Sequence, residues 1–131
     1  MINKSFTLIE IVVAIFLITV GTVGAFSLIQ RTIAFTVISS SRLVAANLAQ
    51  EGIEIIRNTR DTNWLSGNPW DQGLSSGGWQ AVEMNGQATN FQRRITITPD
   101  TDVLGVQVEV SWQERLRAHQ VTVQTKLHNW K

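Results

Sequence analysis

From Ile11 to Ile29 the chain carries no charged residue: IVVAIFLITVGTVGAFSLI. As a helix rising ~1.5 Å per residue this run measures about 29 Å, close to the roughly 30 Å hydrocarbon core of a bilayer. A buried core helix is a poor alternative, because only about a hundred residues remain to cover something apolar on every side. A cleavable secretory signal also fits poorly. Its apolar stretch is usually ~7–15 residues and ends in an A-x-A type site, which this run lacks. The run reads as a membrane-spanning helix.

Glu10 sits just inside the apolar block, after Phe6-Thr7-Leu8-Ile9. A carboxylate at the centre of a membrane helix costs about 2.5–3.5 kcal/mol and is rare without a partner. Two readings follow. Glu10 lies near the headgroups and is solvated, or it awaits a positive charge from another chain. Charge does not set orientation, since Lys4 and the α-amino group precede the run while Arg31 and Arg42 follow it. Bulk composition adds exclusions. The 131 residues carry a net charge of +1 and no cysteine, so no global electrostatic case for nucleic acid exists, and disulfides, thiolate metal sites and cysteine nucleophiles are out.

Lys4-Ser5-Phe6-Thr7-Leu8-Ile9-Glu10 followed by a long apolar helix resembles the class III signal of type IV pilins and type II secretion pseudopilins. In that family a membrane aspartic peptidase, the prepilin peptidase, cuts a short basic leader immediately before a Phe and methylates the new terminus. The resemblance implies a cut between Ser5 and Phe6, with Glu10 the fifth residue of the mature chain. It implies that the new ammonium on Phe6 neutralises Glu10 of an adjacent subunit. Pairing a buried charge removes a penalty of several kcal/mol per ion, so such a contact sets register more than it stabilises. The implied partners are other pilin subunits, the peptidase, a membrane assembly platform and the lipid bilayer. The implied location is the cytoplasmic membrane, single-pass with the N-terminus cytoplasmic, and then an extracytoplasmic filament. Two departures stand out. The family leader ends in Gly where this one ends in Ser5, and the helix lacks the mid-segment proline of major pilins.

After Ile29, Ile33, Val37, Val44, Leu48 and Ile55 recur at intervals of 4, 7, 4 and 7, a single helical stripe with Ser41 and Gly52 as its small members. Without a proline from 6 to 60, one helix of ~55 residues is expected. The stretch from Ala45 to Glu54 is similar to the alanine-rich helix of minor pilins and I-type minor pseudopilins. Residues 61–78 are rich in Gly, Ser, Asn, Asp and Pro and read as a long loop. Trp64, Trp70 and Trp79 punctuate it. They either pin the loop to the head or offer an aromatic surface to a sugar or protein, and packing is expected for at least two of them.

Period-2 alternation then predicts strands over Phe91–Thr98, Val106–Trp112 and Val121–Leu127, with a short edge strand near Trp79–Glu83. The expected architecture is therefore α+β: a long N-terminal helix, its first half membrane-spanning, packed on an antiparallel sheet of three or four strands. The resemblance implies the same pilin fold. The organisation reads as leader 1–5, transmembrane and assembly half 6–30, amphipathic half 31–60, and head 61–131 with the loop and a β-meander.

Other constellations are weaker. Asp100 and Asp102 form a minimal calcium candidate, whereas calcium wants 6–8 oxygens. His119 and His128 have no acid cluster beside them, so no metal site and no cofactor is expected. Arg93, Arg94, Arg115 and Arg117 would contact DNA phosphates if they converged, giving salt-dependent binding, but alternation sets Arg93 and Arg94 on opposite faces. Three functions are thus weighed: a filament subunit, with a DNA-binding minor pilin as one variant; a bitopic anchored ligand-binding protein that never polymerises; and an anchored enzyme, set aside for want of an acid–base or metal constellation.

Overall fold

The computed structural model describes residues 7–114 and 116–129. Its elements run α1 (Leu8–Leu65), β1 (Gln80–Met84), β2 (Gln87–Pro99), β3 (Val103–Glu114) and β4 (Arg117–His128). The α+β class is as expected: one long N-terminal helix and one four-stranded antiparallel sheet. The chain divides between Ser39 and Ser40 into two units, and each has its own physical character.

In the first unit every residue from Leu8 to Ile33 is exposed. Four of its threonine hydroxyls are satisfied within the helix. Thr19, Thr22, Thr32 and Thr36 each donate their hydroxyl to the carbonyl four residues back, at 2.7–3.0 Å. That back-bonding leaves the hydroxyl no demand for water, as a helix surrounded by hydrocarbon requires.

In the second unit α1 buries Ala45, Leu48, Ala49, Gly52, Ile53, Ile56 and Arg60. They pack on Val82, Phe91, Ile97, Leu104, Val106, Val108, Val110, Trp112 and Leu127, the inner face of the sheet. The burial corrects the expected stripe. Leu48 and Gly52 lie on it, and Val44 flanks it half-buried, but Ile55 is exposed. Ile33 and Val37 belong to the first unit and are exposed as well. The physical reason is close approach. A Cβ placed on Gly52 would come within 2.9 Å of Val108 Cγ1, so the small residues Ala45, Ala49 and Gly52 set the line of contact. The branched side chains turn to its sides.

The helix also ends later than expected, at Leu65 instead of near residue 60. Gly67 adopts φ 72, its N–H bonds Trp64 O at 3.1 Å, and the Asn68 N–H bonds Asn63 O at 2.9 Å. This paired arrangement around a left-handed glycine is the Schellman termination. A glycine that reads as loop composition is therefore the helix stop. Trp64, in the last turn, is half-buried, and in the segment that follows Trp70 packs against the core. Trp79 is 42% exposed and carries the Arg94 guanidinium over its ring at 4.6 Å.

The strands lie in sequence order, β1-β2-β3-β4. Asn85 (φ 54) and Gly86 (φ 74) close the first hairpin between Met84 and Gln87, the two-residue turn whose twist matches that of strands. Inner-face positions pair across the sheet as Phe91↔Trp112, Ile95↔Val108 and Ile97↔Val106, and as Leu104↔Leu127, Val108↔Val123 and Val110↔Val121. Where β1 stops short of the end of β2, the preceding loop takes over. Gly77 N–H bonds Ile95 O at 2.9 Å, and the Ser76 hydroxyl bridges the N–H and carbonyl of Ile97 at 2.8 and 3.1 Å.

Two predictions follow from this packing. Gly52→Val should lower the head's unfolding free energy by about 1–3 kcal/mol through overpacking, whereas Gly21→Ala, with nothing within 4 Å of the new Cβ, should leave it unchanged. Denaturant titration of detergent-solubilised protein, followed by the fluorescence of buried Trp112, reads both. Leu116 is fully exposed at φ 64, a conformation costing a non-glycine residue roughly 1–2 kcal/mol. Leu116→Gly should therefore stabilise the head by about 1 kcal/mol in the same titration.

Candidate functional site

The helix begins with a side-chain cap. The Thr7 carbonyl accepts the Glu10 N–H at 3.1 Å and the Ile11 N–H at 3.3 Å. The Thr7 hydroxyl lies 3.4 Å from the Glu10 N–H, which donates to it. Thr7 is thus the N-cap residue, and Thr7-Leu8-Ile9-Glu10 has the T-x-x-E spacing of a capping box. Glu10 falls in the first turn, where the positive end of the helix dipole favours an acid by ~0.3–1 kcal/mol. Among the described residues its carboxylate has no ion-pair partner. The expected cut site, Ser5 and Phe6, lies outside the described residues.

On the sheet, the four candidate arginines are not brought together. Arg93 is on the inner face, where its guanidinium reaches Leu48 O at 3.2 Å and Glu51 Oε1 at 3.3 Å. It ties β2 to α1 beside Gly52. Arg94 is on the outer face, with Nε 2.7 Å from Glu109 Oε2. Arg117 is exposed at the start of β4, and Arg115 lies outside the described residues. The arginines whose partners are seen are committed to acids of the same chain, which leaves less charge for phosphate.

Around Arg94 a polar cluster forms that the alternation pattern did not announce. Glu109 is 7% exposed although it faces outward. Arg94 covers one oxygen, Gln120 donates to the other at 2.6 Å, and Trp79 lies over Arg94. The cross-strand pairing Arg94↔Glu109 carried the only sequence hint, an opposite-charge pair at facing positions. Arg60 was likewise missed. Its guanidinium is buried and bound to the Asp61 carboxylate at 2.8 Å. Asp100 and Asp102 serve the β2–β3 turn: Asp100 Oδ1 accepts the Thr101 N–H at 2.8 Å, and the Asp102 carbonyl accepts the Asn129 N–H at 2.9 Å. Among the described residues no group of three metal-ligating side chains occurs.

Residues 1–26 match the family model of the prokaryotic N-terminal methylation motif. The chain carries a pilin-type methylation signal. No curated protein and no solved structure matches it. The signal spans the expected cut site, the Thr7 cap, Glu10 and most of the apolar run. It supports the pilin and pseudopilin family, as does the long helix on a four-stranded antiparallel sheet. It points to a structural protein and, together with the exposed apolar helix, fits anchoring in a membrane.

The capping geometry makes its own prediction. Thr7→Val should cost the first turn ~0.5–2 kcal/mol, read as faster amide exchange at Leu8–Ile11 in detergent-solubilised protein, with exchange in the sheet unchanged.

Proposed function

We propose that this chain is a prepilin, a structural subunit of a type IV pilus or a type II secretion pseudopilus, and has no catalytic role of its own. The observation that supports it most is the coincidence of the methylation signal with a helix exposed at every position from Leu8 to Ile33, in which Glu10 is the one charged residue before Arg31. Side chains such as Phe16, Phe26 and Leu28 would each gain about 1.5–3 kcal/mol on leaving water. Lipid covers them in a stored subunit, and neighbouring helices cover them in a filament.

In this reading the subunit waits in the cytoplasmic membrane with its N-terminus cytoplasmic. The prepilin peptidase cuts between Ser5 and Phe6, converting an amide into a free ammonium at the capped end of the helix. Within a low-dielectric bundle that ammonium and Glu10 of the adjacent subunit remove each other's desolvation penalty. A subunit out of register leaves both charges unpaired, so the pair selects one axial offset. Helix packing contributes the bulk of the attraction, and the charges decide where it stops. Other subunits, the peptidase and a membrane assembly platform are the partners this requires.

Intact-mass analysis of protein extracted from membranes tests the processing step: the expected mass begins at Phe6 with a methylated amine. Retention of residues 1–5 would favour an anchored, non-polymerising protein instead. Glu10→Ala should still be inserted and cut but should fail to enter filaments, as judged by its absence from sheared surface fractions; normal incorporation would refute the charge-pair step. A DNA-binding role is not favoured, because Arg93 and Arg94 point to opposite faces and are each paired with an acid.

A further inference from the structure

The two edges of the sheet are built differently. At one, β1 is short and carries a bulge between Ala81 and Glu83, and Ser76 and Gly77 cover the part of β2 that β1 leaves open. These are the ordinary devices that block unwanted strand pairing. At the other, β4 is an uninterrupted strand from Arg117 to His128, without a proline and without a register shift against β3. Among the described residues, no backbone group of β4 bonds outside its ladder with β3. On the inner face Val121 and Val123 remain only partly covered by the core. A strand added here would extend both the backbone ladder and the apolar layer.

The charge along this edge has one sign. β4 carries the cations Arg117 and Lys126 and no acid. The nearby carboxylates are largely committed elsewhere. Glu109 is held by Arg94 and Gln120, and Asp102 faces Asn129. Glu114 stands opposite Arg117 in the register, leaving the Lys126 end without an ion pair among the described residues. Self-pairing is disfavoured by the same pattern. A two-fold pairing of β4 with another β4 would run Arg117 of one copy towards the Lys126–His128 end of the next, cation beside cation.

We propose that the free edge of β4 receives an extended acidic segment of a different protein by strand addition. The incoming strand presents alternate apolar side chains beside Val121 and Val123 and carboxylates near Lys126. Backbone hydrogen bonds supply the attachment, and the carboxylates choose the partner. This inference does not depend on cleavage or polymerisation, so it stands or falls apart from the proposed function.

The test uses the full chain in detergent micelles and three synthetic, fluorescently labelled octapeptides, read by anisotropy. One alternates Val and Glu, one alternates Val and Lys, and the third is the Val/Glu peptide with alternate amides N-methylated. The Val/Glu peptide should bind saturably, roughly tenfold or more tighter than Val/Lys, and N-methylation should abolish binding. Lys126→Glu should narrow or invert the preference between the charged peptides while leaving the head's denaturation midpoint in place. Equal binding of the N-methylated peptide would overturn strand addition, and equal binding of Val/Glu and Val/Lys would overturn the acidic assignment. Disulfide dimers of Thr122→Cys forming in preference to peptide capture would show a second copy to be the occupant and refute the proposal.

Discussion

Gly52 lies so close to Val108 that no side chain fits between helix and strand, and the architecture of the head follows from that contact. Close approach brings Ala45 and Ala49 onto the same sheet face and lets Val106, Val108 and Val110 be enclosed almost completely. It also explains the placement of Arg93. Its aliphatic stem runs alongside Gly52, with Cδ within 3.1 Å of where a Cβ would stand. Its guanidinium emerges at Leu48 O and Glu51. A long charged side chain can line a core in this way only when its head reaches a polar rim.

The first unit obeys a different constraint. A helix apolar on all sides gains nothing from its own chain, and its stability rests on whatever surrounds it. Its backbone bonds within the helix, and four threonine hydroxyls bond back to that backbone. The Glu10 carboxylate lies outside that self-sufficiency. In water a first-turn acid is unremarkable; against lipid or other helices it calls for a countercharge, and the matched methylation motif covers the residues around it.

The two sheet edges extend the same logic to the head. One edge is closed by a bulge, a short strand and a loop, while the other offers a long cationic strand. Trp79, Arg94, Glu109 and Gln120 make the neighbouring outer face rigid and electrically quiet.

The apolar run, the acid within it and the period-2 strands are local properties, each encoded by consecutive residues. The amino-acid order alone therefore determined the helix, the antiparallel meander, the α+β class and the methylation signal. Some missed features were equally local, such as the Asn85-Gly86 turn, the Gly67 stop and the Thr7 cap, where a residue's φ or hydroxyl mattered more than its polarity. Which helix face meets the sheet was a tertiary decision. Periodicity favoured Ile55 and Val44, but the shortest distance between helix and sheet belongs to Gly52 and the alanines, and packing rewards contact over hydrophobicity residue by residue. Tertiary structure likewise decided that the arginines separate, that Glu109 is buried on an outward face, and which edge stays open. All three depend on partners distant in sequence, and no local pattern names a partner.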